Sequence, residues 1–506
     1  MRVGRGFSRA DLPGFSPAVT TMNDHTPTKP SRRGLIKLGL AAGGAAVTGS
    51  GALAGAAPQP QSQAPTRSAA VVTGRRFKGW VSRGSGPART TLEELTLRPI
   101  AGRQVLVRTE ATNLCYSNTG VVLGLPPVLG PGPGGPPPAA GTAARPAAPP
   151  AGGGFGRLNA MALIQGHGGV GVVEAVGPEV RRVQVGDRVC VSGTPHCGAC
   201  YQCLRGRSDM CQFLGRQGPD DLVAMADMRD GTPVYANSHI GGLAEVMVTF
   251  EEWVVPVFTK APAVDLGMVC SCVAVAGLGA TTSQGTGILR PGSTVAVVGC
   301  GPLGLSAVQG ARISGASAII AIDPIRARRE LALKVGATHA LDPNVEGDAL
   351  VAKVRELTKG PNDRLWAGGR DSGGLLGGAG ADFVIEAAGA DAAPPRAERG
   401  PDPTGILPLR QAYEMCAAGG DIVTTSLPRG NITLPAVLFT IGGRTHHAGQ
   451  AGGCSPMRDI PRFVAMLDSG QYDAKALATT VVPIERMREA YEEVVYRTTA
   501  TAIMTA

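Results

Sequence analysis

The chain has 506 residues, of which 43% are hydrophobic and 4% aromatic, and its formal net charge is +9. This length predicts two domains with a sizeable core, which excludes a small scaffold held together by disulfide bonds. The basic residues are scattered or lie in the N-terminal arm, and no basic stripe alternates with aromatic residues. The composition therefore argues against a nucleic-acid-binding protein.

The first 54 residues have the features of an export signal. Arg32 and Arg33 precede a mild Gly/Ala-rich apolar run that ends in small residues at Ala54. This pattern resembles a twin-arginine leader and predicts an exported protein, or a cytoplasmic one if the leader is not functional. The run is too rich in Gly, Ser and Thr for a transmembrane anchor, so no stable membrane span is predicted after leader removal. Residues 55–70 are predicted to be a disordered tether.

Residues 71–273 are predicted to form the first folded domain. Short strand-like segments lead to Cys115, and later β-branched segments punctuated by glycine indicate the strands of an antiparallel barrel. Between them lies a Pro/Gly/Ala-rich stretch, "GLPPVLGPGPGGPPPAAGTAARPAAPPAGGGFG", that has too little apolar surface to bury. We expect it to be a flexible insert.

Four of the chain's 11 cysteines fall within the segment 196–211, "HCGACYQCLRGRSDMC". A disulfide cluster is the alternative, but it is typical of short secreted domains that lack a core. Two Cys-x-x-Cys steps followed by a turn-prone segment suit a tetrahedral metal shell better. We predict a structural zinc lobe whose closed ligand set leaves no position for a substrate. Its ligands are Cys197, Cys200, Cys203 and Cys211.

Residues 274–445 alternate strand-like and helical segments, which predicts a parallel sheet. An apolar strand at 295–298 leads into a glycine-rich turn and a helix, and a second apolar strand ends at Asp323. A G-x-G-x-x-G turn in this context, with an acid about 20 residues further on, predicts a dinucleotide-binding Rossmann domain. The turn consists of Gly299, Cys300, Gly301, Pro302, Leu303 and Gly304.

Each glycine of this turn has an expected role. Gly299 makes the tight turn, Gly301 lets the backbone approach a pyrophosphate, and Gly304 allows close helix packing. Asp323 can accept hydrogen bonds from both ribose hydroxyls and would repel a 2′-phosphate, which predicts NAD. The basic residues that leave NADP open as the alternative are Arg326 and Arg328.

The remaining segments complete the predicted organisation. Two inserts, residues 364–378 and 390–405, are expected to be surface loops. Residues 446–506 are expected to return to the first domain and to contain helices near 460–469 and 484–496, with a strand between them.

The order of these features resembles the medium-chain zinc-dependent alcohol dehydrogenases. It comprises Cys115, "GHGGVG" at 166–171, the four-cysteine lobe, "CVAVAGLGA" at 272–280 and the dinucleotide turn. The resemblance covers most of residues 75–506 apart from the inserts. It implies an α/β protein with a barrel-like (GroES-like) catalytic domain and a Rossmann domain. It also implies an alcohol or aldehyde substrate, NAD, two zinc ions per chain and a homo-oligomer (dimer or tetramer).

The resemblance further implies the catalytic residues. Cys115, His167 and Cys272 would hold a catalytic zinc ion, and Ser117 would carry the proton of the alcohol. Cys272 is preferred to Cys270 because the glycines five and seven residues after Cys272 match the family pattern. Two thiolates and an imidazole leave a fourth zinc position for the substrate oxygen, whose pKa the metal lowers.

Several positions differ from the family pattern. Asn118 stands where an acid usually supports the ligand histidine, and Gly168 replaces a glutamate. Gly120 lies where some members carry a relay histidine, so proton exit through water is expected. Tyr116 replaces a residue that is often basic and faces the pyrophosphate. These departures leave two alternatives, a reductase of another carbonyl or quinone and a non-catalytic, zinc-stabilised NAD-binding protein.

Export raises a question about the cofactor, because free NAD is not expected outside the cytoplasm. One hypothesis is that NAD is loaded before export and stays bound. Hydride would then pass to a second substrate or external acceptor on the same cofactor, as in some members of the family.

Overall fold

The computed structural model describes residues 74–83, 89–125, 161–194, 196–212, 223–287, 289–359, 380–436 and 442–506. These residues belong to one compact unit. The predicted export leader, the tether at 55–70, residues 126–160 of the Pro/Gly/Ala-rich region and the insert at 364–378 lie outside the described residues.

Short strands rich in β-branched residues build the part of the chain before the dinucleotide turn. Exposed and buried residues alternate over the first four residues of the first strand, and the next three residues are all buried. These strands are β1 (Arg76–Arg83), β2 (Thr90–Leu97), β3 (Gln104–Asn113), β4 (Ala162–Ile164), β5 (Gly169–Val176), β6 (Arg188–Val191), β7 (Ala226–Asp227), β8 (Pro233–Ala236), β9 (Val246–Phe250) and β10 (Val254–Pro256).

Two sheets arise from these strands. One closes into a small barrel in the order β1-β2-β7-β8-β4. The other runs β10-β6-β5-β3 and continues into two strands from the C-terminal tail, β18 (Ala502–Thr505) and β17 (Thr480–Pro483), while β9 also pairs with β3. Ile503 of β18 lies opposite Asn113 of β3, two residues before Cys115. The tail therefore returns to the sheet that carries the first predicted zinc ligand.

A parallel sheet forms the second half of the structure. Its strands are β11 (Thr294–Val298), β12 (Ala318–Ile322), β13 (His339–Leu341), β14 (Ala381–Glu386), β15 (Cys416–Thr424) and β16 (Thr445–Ala448). Their order is β13-β12-β11-β14-β15-β16, and every neighbouring pair is parallel. This is the Rossmann order, and the reversal between β11 and β14 places a ligand crevice at their carboxyl ends. The predicted fold class is confirmed.

The helices cover this sheet and join it to the barrel half. They are α1 (Thr119–Leu123), α2 (Tyr201–Leu204), α3 (Ala263–Cys270), α4 (Cys272–Thr282), α5 (Pro302–Ile313), α6 (Arg326–Val335), α7 (Pro343–Glu346), α8 (Leu350–Leu357), α9 (Ile406–Met415), α10 (Pro456–Asp468) and α11 (Met487–Val495). The predicted tail helices correspond to α10 and α11. No described helix is by itself long and apolar enough to cross a membrane, although the bent pair α3 and α4 meets those criteria together.

The connection between the two halves is a bent helix pair. α3 and α4 meet at 57°, and the Ser271 hydroxyl accepts a hydrogen bond from the Val273 amide to begin α4. α4 packs directly on α5, because a Cβ on Gly277 would lie 2.4 Å from the Leu303 oxygen. One continuous cluster of buried side chains extends from the second sheet through these helices to the parallel sheet. The predicted domain boundary at 273/274 falls inside α4, and the division into domains stays a prediction.

Candidate active site

Three of the predicted zinc ligands come from separate elements and meet at one point. Cys115 follows β3, His167 lies between β4 and β5, and Cys272 is the first residue of α4. Their ligand atoms lie within 4.8 Å of one another, and the two sulfur atoms are 3.1 Å apart. Cys270, the alternative ligand, is buried and directs its thiol to the Gly267 carbonyl. The bend at the start of α4 therefore brings Cys272 to the other two side chains.

The electrostatics of this group depend on the two sulfur atoms. The hydrogen bond with Cys272 lowers the pKa of the Cys115 thiol well below its usual value, and the same contact raises that of Cys272. Burial opposes a charged His167 imidazole, but the neighbouring Cys115 raises the pKa of His167 overall. Two sulfurs and one imidazole nitrogen form a donor set typical of catalytic zinc, with one coordination position left over. The donor set therefore fits a catalytic zinc ion.

Ser117, to which the resemblance assigns the proton of the alcohol, lies beside this group. Its hydroxyl is 3.1 Å from His167 Nε2 and 3.2 Å from Cys115 Sγ, and the side chain is exposed. A proton held on this hydroxyl would have direct access to water. Asn118 is buried, and its Oδ1 lacks a hydrogen-bond partner within the described residues. Asn118 therefore gives His167 no support through that atom.

The four-cysteine lobe forms a second cluster. The sulfur atoms of Cys197, Cys200, Cys203 and Cys211 lie within 4.8 Å of one another, and Cys200 is 3.5 Å from Cys203 and 3.9 Å from Cys211. Zn–S bonds of about 2.3 Å in a tetrahedron place sulfur atoms roughly 3.8 Å apart. Backbone amides at Ala199 and Cys200 donate hydrogen bonds to Cys197 Sγ. This donor set fits a structural zinc ion.

The lobe is attached to the rest of the structure through polar contacts. The Asp209 side chain is fully buried in an ion pair with Arg207. The Ser208 hydroxyl donates to the Cys454 carbonyl at 3.5 Å, and Trp253 Nε1 donates to the His196 carbonyl at 2.9 Å. The Ser208 and Trp253 contacts connect both ends of the lobe to segments that follow later in the chain, whereas the ion pair lies within the lobe.

The glycine-rich turn joins β11 to α5. Gly299 has φ +92°, and a Cβ there would lie 2.6 Å from the Ala388 amide nitrogen. A Cβ on Gly304 would lie 1.8 Å from the Gly299 oxygen, whereas the nearest atom to a Cβ on Gly301 is Arg328 Nη1 at 3.7 Å. Pro302 begins α5, whose N-terminus suits a phosphate group. The turn is therefore tight at both ends and open at its centre.

Asp323 follows β12 and faces the same turn. Its carboxylate accepts a hydrogen bond from the Cys300 amide at 2.7 Å and another from the Ile325 amide at 2.8 Å. The side chain is buried, with 3% of the residue exposed. Asp323 therefore holds the turn in place, and it also follows β12, where a ribose-binding acid is expected. The sequence pattern did not reveal the first of these roles.

The arginines that follow Asp323 contact other protein groups. Arg326 pairs with Glu330 at 2.8 Å, and Arg329 pairs with Asp342 at 3.0 Å. Arg328 extends toward Gly301, and burial lowers the pKa of its guanidinium. Arg326 and Arg328 are the residues that make NADP an alternative cofactor in the sequence analysis. In the structure Arg326 pairs with a carboxylate and Arg328 extends toward the turn.

Sequence reasoning missed a second cation at this turn. Arg497, from the tail, forms an ion pair with Asp391, and its guanidinium lies 5.6 Å from the centre of the Tyr116 ring. The charge of Arg497 is close enough to Arg328 to lower the pKa of Arg328 further. No motif marks Arg497, because only the return of the tail places it here. Tyr116, which directly follows Cys115, connects the zinc-ligand group to the dinucleotide turn.

Residues 391–404, here called the strap, connect β14 to α9. The sequence predicts a surface loop here, and the segment is a loop with attachments at both ends. Near Asp391, the Ala392 amide donates to the Tyr116 hydroxyl at 2.8 Å. The Arg396 amide donates to the Tyr496 carbonyl at 3.0 Å, and the Arg396 guanidinium lies 3.8 Å from the centre of the Tyr496 ring.

The far end of the strap contacts the helices beyond β12 and β13. Glu398 Oε1 accepts a hydrogen bond from the Arg326 amide at 3.2 Å, and Asn344 Nδ2 donates to the Arg399 carbonyl at 2.9 Å. The strap thus reaches from the neighbour of a predicted zinc ligand to the start of α6. Loops of this length in compact domains are commonly functional.

Comparison with known proteins gives the family. Residues 101–259 match the alcohol dehydrogenase GroES-like domain, and residues 302–398 match the zinc-binding dehydrogenase family. The NDMA-dependent alcohol dehydrogenase of Amycolatopsis methanolica is 30% identical over 338 residues, which cover 65% of this chain and 81% of the relative. Alcohol dehydrogenase B of Mycobacterium tuberculosis is 25% identical over 413 residues, covering 80% of this chain and 91% of the relative.

Solved structures agree with this result. An alcohol dehydrogenase zinc-binding domain protein from Burkholderia ambifaria has a TM-score of 0.66 at 26% identity, covering 85% of this chain and 99% of its own. Benzyl alcohol dehydrogenase from Acinetobacter calcoaceticus has the same fold, with a TM-score of 0.64 at 24% identity and the same coverage. With both family domains matched and both cysteine clusters assembled, the chain belongs to the medium-chain zinc-dependent alcohol dehydrogenase family of oxidoreductases.

Proposed function

We propose that the protein transfers hydride between an alcohol, or the corresponding aldehyde, and NAD, with one catalytic and one structural zinc ion per chain. The observation that carries this proposal is the convergence of Cys115, His167 and Cys272 beside the Ser117 hydroxyl. Tyr116, which directly follows Cys115, contacts Arg497 and the Ala392 amide, and Arg497 lies near Arg328 beside the dinucleotide turn. A substrate between them would meet both reaction partners.

The residues of the proposed site have two roles, metal binding and proton transfer. A zinc ion held by Cys115, His167 and Cys272 would supply Lewis acidity to the substrate oxygen. The Ser117 hydroxyl is placed to accept the proton of an alcohol and to release it to water, because its side chain is exposed. Gly120 offers no titratable group for a longer relay, which supports direct release.

The other half of the site would hold the dinucleotide. The N-terminus of α5 and the guanidinium groups of Arg328 and Arg497 offer positive charge to a diphosphate. The open space over Gly301 allows the backbone to approach it. Asp323, at the end of β12, supports NAD as the cofactor.

The proposal predicts the behaviour of His167→Ala. Alcohol oxidation should fall by about a thousandfold or more, since Lewis-acid stabilisation contributes several kcal/mol to the transition state. NADH binding, measured by fluorescence titration, should change little, because the dinucleotide contacts come from other elements. His339→Ala, which changes an exposed histidine of β13, is the matched control and should keep full activity. Unchanged turnover in His167→Ala would remove the catalytic zinc from the proposal.

Metal content and substrate range separate the alternatives. Elemental analysis of the purified protein should give two zinc ions per chain, and one per chain would favour a non-catalytic NAD-binding protein. Active reduction of other carbonyls or quinones with little alcohol oxidation would favour the reductase alternative.

A tightly held cofactor is a second proposal, and the strap favours it. The strap is attached to Tyr116 and Arg497 at one end and to the start of α6 at the other. We propose that a dinucleotide bound at the turn leaves only after these contacts loosen. One relative is named for its dependence on NDMA. In this mode an alcohol reduces the bound NAD, and a second carbonyl or another acceptor takes the hydride back. Such a cycle would suit the exported enzyme that the leader predicts.

A further inference from the structure

NAD and NADP differ by the 2′-phosphate of NADP, and this group would lie at the start of α6. α6 begins at Arg326, three residues after Asp323, and a 2′-phosphate on the ribose would meet the amides of this helix start. The first turn of α6 contains no acidic residue and has Arg326, Arg328 and Arg329 nearby. Because the helix dipole and these arginines are both positive here, this helix start would bind an additional anion favourably.

The strap supplies an anion to this helix start. Glu398, 72 residues after Arg326 in the chain, accepts the Arg326 amide hydrogen bond at 3.2 Å. Its own backbone amide and that of Arg326 lower the pKa of the Glu398 carboxyl, so this group is ionised at neutral pH. The adjacent Arg399 carbonyl is fixed by Asn344 Nδ2. The carboxylate is thereby held against an amide that a 2′-phosphate would use.

Asp323 is a weaker candidate for repelling the phosphate. Both of its oxygens already accept hydrogen bonds from backbone amides, at Cys300 and at Ile325. Those bonds offset part of its negative charge and tie the residue to the shape of the turn. The Glu398 side chain is exposed, and its carboxylate accepts the hydrogen bond of the Arg326 amide at the helix start. Its charge therefore acts directly on an incoming phosphate.

We propose that Glu398 is a specificity-determining residue that excludes NADP. Its carboxylate occupies the 2′-phosphate position at the start of α6 and places a negative charge there. The inference rests on the proposed dinucleotide site and assigns its selectivity to the strap. It explains how a helix start rich in arginine can serve an NAD site.

The test measures dissociation constants for NADH and NADPH by fluorescence titration of the purified, full-length protein. Glu398→Ala removes the charge and frees the Arg326 amide, so NADPH should bind about tenfold more tightly, while NADH should change by less than about threefold. Glu398→Gln removes only the charge and should give a smaller gain for NADPH. Glu330→Gln is the matched control, because it removes the other carboxylate that contacts Arg326 and leaves the amide untouched.

Each outcome has a distinct meaning. An unchanged ratio of NADPH to NADH affinity in Glu398→Ala would overturn the proposal. An equal gain for both dinucleotides would also overturn it, since that result indicates general loosening of the strap. A gain for NADPH alone that Glu330→Gln does not reproduce supports it. If the unsubstituted protein bound neither NADH nor NADPH, the proposed dinucleotide site itself would be wrong.

Discussion

Gly301 and Gly304 stand three residues apart in one turn, but a methyl group would meet different surroundings at each. A Cβ on Gly304 would overlap the Gly299 oxygen at 1.8 Å, whereas a Cβ on Gly301 has its nearest neighbour at 3.7 Å. We expect Gly304→Ala to lower the free energy of unfolding by about 1–3 kcal/mol or more, through overpacking. Gly301→Ala should unfold like the unsubstituted protein and bind NADH at least about tenfold more weakly.

Urea unfolding and NADH titration of both variants check this pair. Normal NADH affinity in Gly301→Ala would show that a diphosphate does not approach this backbone. Normal stability in Gly304→Ala would show that the turn can open without cost.

The four-cysteine lobe is an element that cannot be stable on its own. Its helix α2 has only four residues, and none of them is fully buried. Cys203→Ser should therefore remove one zinc ion per chain and lower the melting temperature markedly, since structural zinc contributes on the order of 10 kcal/mol at neutral pH. Cys416→Ser changes a buried thiol on β15, away from both clusters, and should keep the full zinc content. A Cys203→Ser protein with unchanged zinc content and melting temperature would contradict a structural zinc site here.

Elements with local sequence patterns could be predicted, and contacts between distant elements could not. The strand predicted at 295–298 is β11 (Thr294–Val298), because apolar residues and a glycine-rich turn mark it locally. The helix predicted near 460–469 begins earlier, at Pro456, since proline is tolerated in a first turn. The strap's attachments to Tyr116, Arg326 and Tyr496 leave no local pattern, because the fold alone brings these residues together.

For the whole molecule, the strap predicts slow release of the cofactor. Protein purified without added cofactor and then denatured should release about one NAD per chain, and the dissociation rate of NADH should be low. Tyr116→Phe removes the acceptor of the Ala392 amide, so NADH should leave about fivefold faster, as expected for one hydrogen bond of roughly 1 kcal/mol. Tyr413→Phe, on α9, is the control and should release NADH normally. An empty site, with activity strictly dependent on added NAD, would rule out a resident cofactor.

The close packing of α4 on α5 has a mechanical consequence. Cys272 begins α4, and α5 begins at the dinucleotide turn, while Cys115 and His167 lie in the other half, after β3 and between β4 and β5. Since Gly277 lets the two helix backbones touch, a rotation of the parallel sheet relative to the barrel would carry Cys272 with it. Such a rotation would change the distances among the three ligand side chains. A zinc ion held by these three side chains would then respond to movement of the dinucleotide turn through the packing of α4 on α5.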